Sequence, residues 1–439
     1  MHPFATYVLK SYYKATGWNE DNLYANLTRS SSAILDFTVP KGLHLSVSKS
    51  PNALFRTTYS MNAMPSLNGS VGYIFSSCDL DTKNSGNVRI KEMIERFKVY
   101  DQPRRPEGKE QEFLAGENVT SRDYLMYGRL YLPTGRLDAL YSTRLSATIQ
   151  GLVAVISDPP TTREPYTRRG NTSNMMFHLQ HDAGKWCTEY TYSMEDGMLG
   201  FRFLHNFGRL GVHSEPVEDP EKATPQTKGA VKRVDEEDAI EGGLRGRVSV
   251  GAELYFSALE RSAGMSTGIR FTTLPDATPP SFQLPNSSSS PFISSSSSGP
   301  SQPPTTITAL FNPMLGHMSG AYTARVSRDL SLSSRFDFNV YSFESEWTMG
   351  AEWWLRRSNS QRQSERTDSV SVDYPPILDT REDVNGVVKT RASSTGDVAL
   401  MWEGRVKNML ISLGIVSDFA SRSKPIKSVG LELSYFSSN

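Results

Sequence analysis

The sequence closes on Ile426-Lys427-Ser428-Val429-Gly430-Leu431-Glu432-Leu433-Ser434-Tyr435-Phe436, followed by the polar residues Ser437, Ser438 and Asn439. Ser428, Gly430, Leu433 and Tyr435 set a pattern: a polar residue, a glycine two later, and large apolar residues five and seven positions on. Side chains alternate across a strand, so Leu433 and Tyr435 share one face while Glu432 and Ser434 share the other. A final strand of this kind leaves a ladder of unpaired backbone groups, an open edge that invites foreign pairing. Closing the sheet into a barrel removes the edge. An ordinary terminal strand in a soluble sheet is the alternative reading of the same residues.

The polar-x-Gly-x-x-apolar-x-apolar arrangement resembles the C-terminal sorting signal that the barrel-assembly machinery reads on mitochondrial outer-membrane β-barrels. Ser428, Gly430, Leu433 and Tyr435 are then the expected signal residues. Composition is compatible. In 439 residues, Lys plus Arg and Asp plus Glu both number 47, so bulk charge points to no nucleic acid and no acidic substrate. The mean hydropathy of −0.43 and the lack of a long apolar run exclude a membrane-crossing helix. They do not exclude a membrane-crossing barrel, whose strands are apolar only at alternate positions. Cys78 and Cys187 are too few for a disulfide framework, and no secretory signal peptide opens the chain.

Short period-two segments fill most of the chain. The clearest is Leu330 to Tyr341, where Leu330, Leu332, Phe336, Phe338 and Val340 face one way and Ser331, Ser333, Arg335, Asp337 and Asn339 the other. Counted in this way the sequence predicts about 18 strands, or 19 if Ala33 to Val39 is included, each near the length a tilted strand needs to cross a bilayer. Tyr124, Tyr131, Trp186, Tyr192, Trp347, Trp353, Trp354, Tyr435 and Phe436 lie towards strand ends, where a barrel would use them as interfacial girdles. In a soluble sandwich or propeller they would be core.

Ahead of the strands, Phe4, Val8, Tyr12 and Ala15 fall on one helical face, with Gly17 placed to stop the helix. Residues 1–32 therefore read as a helix and linker and 33–439 as an all-β series of strands; the helix packs on a soluble core or, where the strands close into an up-and-down transmembrane barrel, plugs its pore. Inserts interrupt the series at 79–123, 207–245, 274–304 and 357–395. The first carries a predicted helix with Ile90, Met93, Ile94 and Phe97 on one face; the third is Ser/Pro-rich. The strand count between inserts is even, so all four emerge on one side. Three strands after the last insert would put the C-terminus on the opposite side.

Chemistry is present only in outline. Gly264-Met265-Ser266-Thr267-Gly268 matches G-x-S-x-G, but that motif needs a helix after the serine, and Ile269 to Thr273 continue as a strand, so a hairpin turn is expected. His178 and His181, three apart on a strand, point to opposite faces and cannot chelate together. No phosphate or dinucleotide loop is present. The sequence implies no enzyme, no cofactor and no metal.

Several stretches together resemble the fungal mitochondrial distribution and morphology protein 10 family of barrels. These are Tyr7 to Thr16 with Gly17-Trp18-Asn19-Glu20-Asp21-Asn22, Leu35-Asp36-Phe37 before Val39-Pro40, Asn68-Gly69-Ser70, Asn312-Pro313-Met314-Leu315-Gly316-His317, Trp402-Glu403-Gly404 and the terminal pattern. The resemblance implies a 19-stranded barrel in the mitochondrial outer membrane, with the N-terminal helix in its lumen, the first and last strands parallel and Ala33 to Val39 as the extra strand. It also implies two memberships: in the tether joining the endoplasmic reticulum to mitochondria, beside lipid-transfer and ER-anchored subunits, and in the sorting and assembly machinery that inserts outer-membrane barrels. Tyr73 and Phe75, two apart on one strand, make an outward aromatic pair suited to a protein contact, with lipid as the alternative neighbour. A metabolite pore remains open, because Arg56, Arg129, Arg144, Arg202 and Arg335 would face the lumen if Leu and Phe face lipid. So does a soluble scaffold.

Overall fold

The computed structural model describes residues 3–99, 106, 113–114, 117–118, 122–159, 173–207, 246–273, 303–356, 384–420 and 425–438. Strands β1 (Gly42–Ser50), β2 (Phe55–Met64) and β3 (Asn68–Ser76) precede the first insert, where β4 (Phe113–Leu114) and β5 (Glu117–Asn118) form a separate ribbon. Then come β6 (Tyr124–Leu132), β7 (Leu137–Arg144), β8 (Ile149–Ser157), β9 (Ser173–Asp182), β10 (Trp186–Ser193) and β11 (Met198–Asn206). β12 (Gly246–Ser257) and β13 (Ser262–Thr273) follow, and after them β14 (Thr305–Asn312), β15 (His317–Arg325), β16 (Leu330–Asn339) and β17 (Ser345–Arg356). The last four are β18 (Val384–Ser393), β19 (Asp397–Val406), β20 (Met409–Asp418) and β21 (Ile426–Ser438). Apart from the ribbon, they form one 19-stranded sheet of antiparallel neighbours, closed by β1 lying parallel to β21.

Polarity across this wall is inverted relative to a soluble domain. Along β1 and β2, inward-facing Ser46, Ser48, Arg56 and Thr58 are buried, while Val47, Tyr59 and Met61 stand exposed on the outside. Large apolar side chains are exposed in the same way on every other side of the barrel, as expected of an outer wall that meets hydrocarbon. A ten-residue strand rises ~33 Å and, tilted by about 45°, covers ~24 Å, close to the apolar band of such barrels. No described helix is long and apolar enough to cross a membrane, which leaves crossing by strands untouched.

The strand that completes nineteen is not Ala33 to Val39. Residues Arg29–Leu35 form the helix α2, whose Ser30, Ser31, Ile34 and Leu35 are all buried, a three-to-four spacing that suits a helix and not a strand. The missing strand is β18, inside the stretch read as the fourth insert. Its Lys389 and Arg391 look like loop residues in sequence, but both turn into the lumen and donate to the carbonyls of Ala33 and Leu35 at 2.8 and 2.9 Å.

This shift moves the C-terminus. Even strand counts do place all four inserts at one rim, here termed the insert rim. Four strands, β18 to β21, follow the last insert instead of three, so the chain ends at that same rim, as its parallel pairing with β1 requires. The other rim carries mostly short turns and is termed the turn rim.

Residues 3–41 line the inside as a hoop. Helix α1 (Pro3–Thr16) starts with Phe4 against Phe436 of β21 and passes Tyr12 across to the carbonyl of Asp123 before β6. It ends at Gly17, whose φ of +67° suits glycine, beside Arg144 of β7. Asn22 then bonds Asp182 of β9, Tyr24 meets Glu189 of β10, and α2 packs on β15 to β18. Phe37 lies on Ala399 and Met401 of β19, and Pro40 returns to β21 at Gly430, one full circuit from the start. Glycines clear the track: a Cβ at Gly251, Gly268, Gly350 or Gly414 would strike Tyr24, Leu27, Leu35 or Val39 at 2.4–2.8 Å.

Several smaller expectations are corrected. Ala15 is exposed and Thr16 takes its place on the buried face of α1, because a helix against a concave wall buries a broad arc. The predicted insert helix is one turn, α3 (Ile90–Met93), followed by extended residues whose Phe97 is fully buried. Gly264 to Gly268 lie within β13 and not in a turn, and the Ser266 hydroxyl meets Glu253 at 3.2 Å and Tyr24 at 2.9 Å. Of the nine girdle aromatics, Tyr131, Trp354 and Phe436 point inward. Tyr131 and Trp354 bond Asp138 and Glu352, and Phe436 packs on the hoop.

Candidate functional site: seam, lumen and outer wall

At the seam the ladder runs from Gly42–Gly430 to Ser50–Ser438 in register. Leu433 and Tyr435 lie opposite Leu45 and Val47 on the outside, and Tyr435 is exposed. Ser428, Gly430, Glu432, Ser434 and Phe436 face the lumen. Inside, the hydroxyls of Ser46 and Ser434 meet at 2.8 Å, and Phe436 rests on Phe4 and Tyr7 with ring centroids 5.1 and 6.0 Å away. Gly430 has a steric reason of its own. A Cβ there would lie 2.0 Å from the Pro40 carbonyl oxygen, so only glycine lets the hoop rejoin the wall. The structure thus gathers the four residues of the expected signal on one strand, two outward and two inward.

The lumen holds both the hoop and the segment around α3. Glu95 ties them together: its carboxylate accepts from Lys10 at 2.6 Å and from Arg29 at 3.0 and 3.2 Å. Arg29 also meets Asp21 at 3.1 Å and Glu20 at 3.0 Å, and Lys98 reaches Asp21 at 2.5 Å. Burial alone would raise Glu95, but the Arg29 hydrogen bonds and the Lys10 charge overcome it and hold its pKa at about 2. All five lumenal arginines expected from the sequence do face inward, yet each is engaged. Arg335 pairs with Asp36 and Asp337, Arg202 with Glu253, and Arg129 with Ser60 and Ser70, while Arg56 and Arg144 donate to the carbonyls of Leu80 and Ala147. His178 faces Glu189 in the lumen at 3.3 Å and His181 packs on Trp186 outside, the opposed placement their spacing predicts. Among the described residues no group of His, Cys, Asp and Glu is arranged to hold a metal ion.

On the outer wall, Tyr73 is 52 % exposed and stacks on Phe55 at 5.8 Å. Phe75 stacks on Tyr124 at 6.0 Å, and Tyr124 meets Tyr141 at 6.2 Å. These five rings form an outward row across β2, β3, β6 and β7, nearer the insert rim. Beyond it the wall bends inward into an apolar concavity of about 900 Å³, lined among others by Val153, Phe177, Tyr190, Phe201, Leu254 and Met265.

A barrel closed by a parallel first and last strand, with its lumen lined by its own N-terminus, invites comparison with known families. The family model for mitochondrial distribution and morphology protein 10 matches residues 1–377 and 368–438. The chain belongs to the mitochondrial distribution and morphology protein 10 family. It is 75 % identical to the member from Laccaria bicolor and 69 % identical to that from Postia placenta, each over the full length of both chains. The member from Cryptococcus neoformans is 38 % identical over 99 % of both chains. Membership gives the protein a role in mitochondrial distribution and morphology. The sequence placed Tyr73 on an outward strand face, where it lies, but gave no sign of Glu95 and set Phe436 among the girdle aromatics instead of in the lumen. Glu95 carries no local signal, since its partners Lys10 and Arg29 are 85 and 66 residues away. Phe436 follows Tyr435 without alternation, and that break was the available clue.

Proposed function

We propose that the protein is an anchor in the mitochondrial outer membrane. In this reading it serves both the tether that joins mitochondria to the endoplasmic reticulum and the machinery that sorts and assembles outer-membrane barrels. The observation that carries the reading is the occupied lumen. A barrel whose interior is taken up by its own hoop and whose lumenal arginines are paired offers rims and walls to partners, not passage. In this reading Ser428, Gly430, Leu433 and Tyr435 are the segment recognised during insertion, and the Tyr73–Phe75 row is where a tether subunit docks. Exposed, mutually stacked aromatic rings lose little side-chain entropy on binding, which favours them as contact anchors.

Blue-native electrophoresis of mitochondria carrying a tagged copy, with the co-migrating subunits identified by mass spectrometry, tests the dual membership. Recovery of subunits from both assemblies supports it; a carbonate-resistant band with neither would overturn it and favour a metabolite-conducting pore. Replacing Tyr73 and Phe75 together with Ala should release tether subunits while leaving assembly subunits bound. An intact tether in the pull-down would reject the docking assignment. Single-channel recording of the reconstituted barrel addresses the pore directly, and large steady conductance would contradict the anchor.

A further inference from the structure

The two rims differ in a way that neither the seam nor the aromatic row uses. At the insert rim the short turns are residues 51–54, 145–148, 183–185, 326–329 and 407–408, and none contains an aromatic residue. Their most exposed large apolar side chains are Leu145 at 42 % and Val326 at 54 %. At the turn rim, by contrast, exposed apolar residues sit at the tips: Leu67 at 72 %, Leu259, Met314 and Leu315, Phe343 at 78 % and Phe419 at 70 %. Met194 adds a further turn between β10 and β11.

Turns in water are normally polar, so such tips carry a cost unless something covers them. Phe343 makes the point most sharply. Its φ of +57° is a left-handed conformation that glycine or asparagine adopts far more readily than a bulky residue, and its ring then projects almost fully exposed. From the same turn Tyr341 reaches across over Gly316 and donates to the Pro313 carbonyl at 2.8 Å, which holds the Pro313–Gly316 tip in place. Met314 also lines the apolar outer concavity, so the greasy surface of the wall continues onto this tip without a polar break.

We propose that the turn rim is a collar embedded in the lipid interface, at the boundary of headgroups and acyl chains, while the insert rim stands in water. The apolar tips recur from the β2–β3 turn through β10–β11, β12–β13, β14–β15 and β16–β17 to β20–β21, well around the circumference. A docked protein covers a sector, whereas lipid surrounds the barrel. Charged neighbours on the same turns, such as Glu195, Asp196, Glu260 and Arg261, fit the boundary because their heads reach the aqueous phase while the apolar tips sink. The inference rests on the membrane-spanning reading.

The full-length barrel, with Cys78→Ser and Cys187→Ala, is refolded into phosphatidylcholine–phosphatidylethanolamine vesicles. Spin labels are placed singly at Leu67→Cys, Leu259→Cys and Phe343→Cys, with Asn52→Cys and Lys185→Cys at the insert rim and Leu254→Cys on the outer wall. Collision with oxygen relative to a water-soluble nickel chelate reports depth. The three tips are expected to favour oxygen several-fold more than Asn52 or Lys185 and to approach Leu254. Ser66→Cys and Glu260→Cys on the same turns replace any tip variant that does not refold. Tips as open to the chelate as Asn52, with Leu254 still shielded, would overturn the collar alone; chelate access at Leu254 would overturn the spanning reading itself. Tips open in vesicles but shielded in isolated outer membranes would mean a protein cap, and that too would overturn the collar.

Discussion

One added methyl group at Gly430 should destabilise the barrel out of proportion to its size. In Gly430→Ala the new Cβ would lie 2.0 Å from the Pro40 carbonyl oxygen and 2.3 Å from its carbon. Non-bonded heavy atoms settle well beyond 3 Å, so the linker must retreat by about 1 Å or more. Both sides of the clash are backbone, and neither can rotate away. Overpacking of this kind costs about 1–3 kcal/mol, and this site belongs at the upper end. Gly414→Ala supplies the milder case, because its Cβ meets the Cγ1 of Val39 at 2.5 Å and a rotamer change of ~1 kcal/mol can relieve it. Gly128→Ala supplies the control: nothing lies within 4 Å, so the methyl restricts only the unfolded chain and should leave stability unchanged or raise it by up to ~1 kcal/mol. Urea midpoints of the three variants refolded in detergent micelles, read by tryptophan fluorescence, should rank Gly430→Ala lowest, then Gly414→Ala, then Gly128→Ala. Because no assembly machinery is present in micelles, this assay sees only the fold. Gly430→Ala with the midpoint of Gly128→Ala would refute the steric account and leave the glycine as a recognition element alone.

Phe436→Ala should cost ~3–5 kcal/mol by stripping the seam of its contact with Phe4 and Tyr7, while Tyr435→Ala, one residue away on the outer face, should move the same urea midpoint little. Glu95→Gln should loosen the hoop, read as faster amide exchange over residues 3–35 with the barrel strands unchanged. Because the folded pKa of Glu95, about 2, lies below the ordinary carboxylate value, its stabilisation is complete above pH ~4.3 and disappears as pH falls towards 2; exchange in the Gln variant should not change over that window through this group. A C-terminal tag and a protease site engineered into the 207–245 insert should become accessible together in intact or in ruptured mitochondria; digestion of one without the other would contradict the strand count.

The barrel was legible because its alternation is strict where one face meets lipid. Leu330 to Asn339 needed no context, since every second residue except Ser334 is apolar. β18 was not legible because its lumen face is built from Val387, Lys389 and Arg391, whose charges answer hoop carbonyls that only the closed structure brings near. Ala33 to Val39 failed for the converse reason: consecutive apolar residues satisfy either period, and the buried wall beneath selected the helix. The terminal pattern was readable as a motif, yet the cause of its glycine lay in Pro40, 390 positions earlier. Local periodicity therefore carried the strands, while the lumen contacts depended on pairings between distant parts of the chain.

The inner hoop also has a length, and that length bears on why the barrel has the girth it does. The hoop starts on Phe436 of β21, touches β6, β9, β10 and β15 to β19 in turn, and returns to β21 at Gly430, so its contour matches the inside of a nineteen-stranded wall. That closed circuit lets the leading segment serve as a ruler. It is made before any strand, it ends where the first strand begins, and it touches the last strand at both of its own ends, through Phe4 on Phe436 and Pro40 on Gly430. A hairpin gained or lost would leave the ruler short or slack. Strand number in this fold is thus matched from within, by a cord whose two ends meet on the closing strand.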